Sequence, residues 1–145
     1  MARTSSDAQD SYISNLLKDF DFPAAQAARA ESDTLQKTMI SLSVPEAQIL
    51  SVILFNRGIK KAVEIGTLTG HSGLFILKSL APGGTLWTFE KDPLHAQKAE
   101  KILKDSALSL NKTVHVMLGD AEEKLPTISD KGPFDAIFID GNKGA

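Results

Sequence analysis

The chain has 145 residues, and its 16 lysines and arginines against 18 aspartates and glutamates give a formal net charge of −2, a balance that argues against a generic polyanion binder. Cysteine is absent, which excludes disulfides, thiolate zinc sites and cysteine nucleophiles together and fits a reducing compartment. With 42% hydrophobic residues, no apolar leader and no apolar run of about 18 residues, the expectation is one globular, soluble, cytoplasmic unit with a real core.

Residues 1–22 read as a polar tail followed by a short helix, and residues 23–145 as the folded domain. In the first helix Ile13, Leu16, Leu17 and Phe20 recur at i, i+3, i+4 and i+7, the spacing of one helical face. The alanine-rich stretch from Pro23 to about Ser41 has no internal Gly or Pro and predicts a second helix, with Pro23 suited to its first turn. A third starts near Pro45, where Ser43 or Val44 can cap it and Glu46 suits the positive end of its dipole. Its predicted buried face is Ile49, Leu50, Ile53 and Leu54, and Gly58 supplies the stop.

Beyond Lys60 short apolar runs alternate with helical ones, the pattern of a parallel α/β sheet. Strands are predicted at Lys61–Ile65, Thr85–Glu90, Thr113–Leu118 and Phe134–Asp140. Helices fall between them at about Ser72–Leu80, Asp92–Leu108 and Ala121–Ile128. The middle helix is best marked: Asp92 can cap it, Pro93 fits the first position, and Ala96, Ala99, Ile102 and Leu103 share a face.

Three signals at the strand ends carry chemistry. The segment Val63–Gly73 leaves a buried strand and enters a helix through Gly66, Gly70 and Gly73, spaced G-x-x-x-G-x-x-G. That misses the dinucleotide fingerprint G-x-G-x-x-G, which disfavours a nicotinamide oxidoreductase without excluding it. With the strand and helix correctly placed, a ligand turn is favoured over a mere tight turn. Glu90 ends the second strand, 24 residues after Gly66, where a carboxylate can accept hydrogen bonds from both hydroxyls of a ribose. Alone it would be a solvated strand end. Gly119, Asp120 and Ala121 follow the third strand, and Asp120 can cap the helix there. A non-catalytic, nucleotide-binding fragment remains a further reading.

The turn E-x-G-x-x-x-G from Glu64 to Gly70 resembles that of class I methyltransferases, which bind S-adenosylmethionine. From about Pro23 to Ala145, the lead-in MISLSVPEAQILSVILFNRGIKKAVEIG (Met39–Gly66) and the final FDAIFIDGNKGA make the resemblance specific. The chain is similar to the cation-dependent O-methyltransferases, the caffeoyl-CoA and catechol O-methyltransferase group. The resemblance implies an α/β, Rossmann-like doubly wound parallel sheet, the first four strands of that fold, with N-terminal helices. It implies a donor site drawn from Met39, Glu64, Gly66, Ser72, Glu90, Asp120, Ala121 and Asp140, with Asp120 and Ala121 at the adenine. Ser72 would bond the donor's carboxylate at a helix N-terminus. Asp140 would also bind a divalent cation, Mg²⁺ or Ca²⁺, and Lys143 would be the base that takes the acceptor's hydroxyl proton. Such a cation lowers the hydroxyl pKa and orients the oxygen toward the sulfonium methyl.

The acceptor implied is a small hydroxylated, catechol-like molecule, and a homo-oligomer is expected. Many members have Asp where Asn142 stands, which leaves substrate preference open. The family also continues past this point with further strands and an Asp-Asn pair that completes the cation's ligands. No basic stripe with aromatics suggests nucleic acid. His71 is assigned a partly exposed packing role, His95 and His115 structural ones, and Trp87 a place in the core.

Overall fold

The computed structural model describes residues 7–37 and 40–141. Four strands, β1 (Lys61–Ile65), β2 (Thr85–Glu90), β3 (Thr113–Leu118) and β4 (Ala136–Ile139), form one sheet in the order β3-β2-β1-β4. All three pairings are parallel, with Val63 opposite both Trp87 and Ile137. The first three strands occupy the predicted residues, whereas the fourth is shorter at both ends.

Helix α1 (Asp7–Leu17) continues into a 3-10 turn at Lys18–Phe20 and lies against α3. Its periodic face is not buried: Ile13, Leu16 and Phe20 are 36%, 59% and 48% exposed. Helix α2 (Pro23–Thr34) ends well before Ser41. Gln36 turns left-handed at φ 56, its N–H donates to the Asp33 carbonyl, and the Lys37 N–H donates to the Ser32 carbonyl. That pair of bonds is a Schellman stop closed without glycine. Asp21 receives both Arg29 guanidinium nitrogens, at 2.8 and 2.5 Å, and so fixes the entry to α2.

Helix α3 (Val44–Asn56) begins with a capping box: Glu46 accepts from both the backbone N–H and the hydroxyl of Ser43. Of the predicted face Leu54 is buried and Leu50 packs against the core, whereas Ile49 and Ile53 are exposed; Ala47 is buried in their place. The helix is apolar nearly all round, so periodicity cannot choose which side packs. Helices α4 (His71–Ser79) and α5 (Pro93–Ser109) cover one side of the sheet. There Phe75, Ile76, Leu77, Leu86, Ala99 and Leu103 form the main core, with α2 and α3 packed outside.

On the opposite side the predicted helix over Ala121–Ile128 resolves into a single turn, α6 (Ala121–Lys124), and a 3-10 stretch Leu125–Lys131. Val63, Trp87, Phe89 and Ile128 make the smaller core there. Trp87 is buried as predicted, stacked on His115 at 5.5 Å and edge-on to Phe134. This second layer stops short of β4. Its Ala136 and Phe138 pack on the main core, but Ile137 and Ile139 on the other face are 58% and 63% exposed.

Candidate active site

The parallel strands bring their carboxyl ends to one edge of the sheet, and backbone bonds stitch those ends together. The N–H groups of Gly66 and Thr67 donate to the Phe89 carbonyl, that of Gly119 to the Glu90 carbonyl, and that of Asp140 to the Ile65 carbonyl. Gly66 is indispensable for this closure. It sits at φ +101, and a Cβ there would stand 2.8 Å from the Asp140 carbonyl oxygen. Its freedom thus serves the approach of β4 as much as that of any ligand.

Glu90 ties three segments together. One carboxylate oxygen accepts from the Leu68 N–H at 2.8 Å and the other from the Asp92 N–H at 2.9 Å. Each oxygen keeps a lone pair for a further donor. Asp92 caps α5 by accepting from the N–H groups of Leu94 and His95. His95, which sequence spacing leaves without a carboxylate partner, lies 3.8 Å from Glu90 and 3.9 Å from Asp92. Asp120 is exposed and caps α6 through the Glu122 N–H, and Ala121 beside it is half-buried.

Glu64 does not open onto this edge. It is 0% exposed, and its two oxygens accept from the Ser72 hydroxyl at 2.5 Å and the Thr88 hydroxyl at 2.6 Å. The Thr88 oxygen lies 2.5 Å from that of Thr67. Because the Thr88 proton is committed to Glu64, Thr67 is the donor in that pair. Burial pushes the Glu64 carboxyl up to about 7, with the charges of Asp140 and Glu90 adding to the rise and the two hydroxyl bonds opposing it. Sequence reading missed Thr67 and Thr88. The only signal available was a threonine pair at the ends of adjacent apolar segments.

Helix α4 starts from Gly70 at φ 91 with no capping side chain, so its first N–H groups offer an anion site. His71 is buried there at 2% exposure, contrary to the partly exposed position predicted for it. Its ring is edge-on to Phe75 at 5.3 Å, and neither ring nitrogen has a hydrogen-bond partner among the described residues. Burial, reinforced by the Arg29 charge, lowers its pKa to about 4; the Ala25 backbone lies close enough to oppose this weakly, without hydrogen-bonding geometry.

Asp140 is half-buried at the tip of β4. Among the described residues no three His, Cys, Asp or Glu side chains cluster to hold a metal ion, so these residues alone do not fit a divalent-cation site. Met39 and Lys143 lie outside the described residues. A surface groove of about 470 Å³ between α2 and α5 involves none of the strand-tip residues. No helix among the described residues is long and apolar enough to cross a membrane.

Residues 15–145 match the family model described as O-methyltransferase. The chain belongs to that family. Among curated O-methyltransferases it is 34% identical over 123 residues to a catechol O-methyltransferase of Mycobacterium tuberculosis, covering 85% of this chain and 54% of that protein. A catechol O-methyltransferase of Niastella koreensis is 34% identical over 136 residues, covering 92% and 60% respectively. The chain therefore spans only 54% to 60% of the length of these relatives. The fold agrees with solved O-methyltransferases. TomG of Streptomyces achromogenes, in complex with SAM, superposes with a TM-score of 0.83 at 30% identity, over 94% of this chain and 60% of its own. An O-methyltransferase from Bacillus cereus in complex with SAH gives 0.78 at 27% identity, over 94% and 61%.

Proposed function

We propose that this chain carries the S-adenosylmethionine site of an O-methyltransferase whose acceptor is a small, catechol-like hydroxylated molecule. The observation that carries the reading is Glu90. It sits at the tip of β2 with both oxygens already anchored by backbone N–H groups, in a chain similar to a SAM-bound O-methyltransferase. Its remaining lone pairs are suited to the two ribose hydroxyls. Asp120 and Ala121 are proposed at the adenine, and Met39 and Gly66 along the donor. Ser72 and the uncapped start of α4 take the donor's carboxylate. Glu64 supports Ser72 from beneath rather than touching the donor.

When bound, the sulfonium supplies an activated methyl group. The protein's own part is to fix that methyl in line with the acceptor oxygen, since alignment of reactants removes much of the barrier. Lys143 is proposed to take the hydroxyl proton. Asp140 is proposed as one ligand of a divalent cation, in a chain whose described residues hold no cluster of three His, Cys, Asp or Glu side chains. The proposed setting is the cytoplasm, in keeping with the absence of cysteine, and the proposed assembly is a homo-oligomer.

Calorimetric titration with S-adenosylmethionine and, separately, with NADH tests the donor site. Binding of the methyl donor alone is expected, and binding of NADH alone would overturn the reading. The acceptor class is tested by following a labelled methyl group onto a 3,4-dihydroxyphenyl compound. Equal labelling of an analogue with both hydroxyls blocked would exclude oxygen as the acceptor.

A further inference from the structure

We propose that the buried Glu64 carboxyl sets whether the Ser72 hydroxyl donates or accepts at the start of α4, so that the donor's amino-acid carboxylate binds together with one proton. This rests on the donor-site reading above and adds to it a proton-linked positioning residue and the two threonines that direct it.

A hydroxyl has one hydrogen and two lone pairs. With Glu64 ionised, the Ser72 hydroxyl donates to Glu64 Oε1, so toward the site Ser72 can show only lone pairs. A carboxylate arriving at the start of α4 would find N–H groups that attract it. It would also find an oxygen that cannot donate, with an ionised Glu64 directly behind. One proton on Glu64 removes both obstacles. The carboxyl then donates to Ser72 Oγ, and the Ser72 hydrogen is released toward the incoming carboxylate.

The threonine chain decides which oxygen takes that proton. Thr67 donates to Thr88 and Thr88 donates to Glu64 Oε2. Protonating Oε2 would require both threonines to reverse, and the Thr67 hydroxyl, 1% exposed, has no second partner among the described residues to receive its hydrogen. Oε1 is therefore the site of protonation, on the side of Ser72. The surroundings favour uptake near neutrality. The charges acting on Glu64 are those of Asp140 at the end of β4 and Glu90 at the end of β2, both acidic. From α4, Ser72 donates to Glu64 and Gly73 lies against its carboxyl, and the Leu103 side chain of α5 lies against the same turn. Burial and these two charges place the carboxyl at about 7, within reach of a modest push from a bound carboxylate.

The test is calorimetry of the 145-residue chain with S-adenosylhomocysteine, from pH 6 to pH 9, in buffers of different ionisation enthalpy. 5′-Methylthioadenosine, which lacks the amino-acid end, is the comparison probe. For S-adenosylhomocysteine, uptake approaching one proton per site near pH 8 is expected. Its Kd should weaken about tenfold per unit above pH 7. 5′-Methylthioadenosine should show neither effect. Glu64→Gln should abolish the uptake and flatten the pH profile, because an amide nitrogen facing Ser72 imitates the protonated acid. Thr88→Val, which removes a hydrogen bond to the ionised form, should move the onset to higher pH. Buffer-independent heats with a flat Kd for the parent, or equal uptake with both probes, would overturn the proposal while leaving the donor site intact. Failure of both probes to bind at any pH would overturn the donor site itself, and the proposal with it.

Discussion

Replacing Glu64 by glutamine should make the protein more stable at alkaline pH and leave it little changed in acid. The carboxyl is fully buried and titrates at about 7 instead of its ordinary 4.5. Between those values the folded state holds a proton that the unfolded state has released, so stability falls as pH rises through the window. A difference of 2.5 pH units at about 1.4 kcal/mol each corresponds to a cost of about 3 kcal/mol above pH 7. Glutamine keeps the size and the Thr88 bond and carries no charge, so it avoids that cost, less whatever is lost in turning the Ser72 hydroxyl. The assay is urea unfolding of parent and variant at unit steps between about pH 4 and pH 8. The difference between the two curves is the quantity to read, because His71 acts in the opposite sense. Its pKa falls from 6.5 to about 4 on folding, so its contribution grows as pH rises from about 4 to 6.5 and masks the Glu64 loss in the parent alone. A variant-minus-parent difference constant within about 0.5 kcal/mol across the range would refute the reasoning.

His71→Phe should remove the acid-sensitive part of the parent's profile, since a neutral ring beside Phe75 has no proton to gain. Unfolding at about pH 4 to 6.5 checks it, and an unchanged acid limb would count against burial as the cause. Glu90→Ala should weaken methyl-donor binding by about 1–3 kcal/mol, the range for losing hydrogen bonds to a charged group; calorimetry on folded variant showing parental affinity would sink the ribose assignment. The exposed Ile137 and Ile139 on β4, which among the described residues is an edge strand, should promote self-association of this chain. Light scattering should find less of it for Ile139→Lys, and equal association of both proteins would show that the edge plays no part.

The sheet was readable because its signals are local. Lys61–Ile65, Thr85–Glu90 and Thr113–Leu118 are short apolar runs bounded by Gly, Pro and Asn, and burial in a parallel sheet demands that pattern. Helix α2 outran its true end on paper because Gln36 takes the left-handed stop that a glycine usually marks. Only half of the predicted α3 face, Leu50 and Leu54, packs on the core, because periodicity finds an apolar stripe but not a partner for it. In the site, Glu90 and Asp120 were legible as carboxylates at strand ends. The burial of Glu64 and His71 was not, since it depends on β2 bringing Thr88 beside Glu64 and on α2 packing over the start of α4. Thr88 shows the same gap. A threonine in an apolar strand signals β propensity, and only the register of β1 against β2 places it opposite Glu64.

The Glu90 clamp has a consequence for how any ligand is received. Because its carboxylate already holds the N–H groups of Leu68 and Asp92, the turn after β1 and the start of α5 are ordered before a ligand arrives. The conformational entropy of that ordering is lost during folding and not on association, which leaves more of the contact energy to appear as affinity. The residue therefore acts on binding twice, once as a partner for hydroxyls and once as the anchor that keeps a left-handed Leu68 in place. Removing its side chain would release a mobile loop as well as a pair of acceptors, and the second effect would register as a more unfavourable binding entropy.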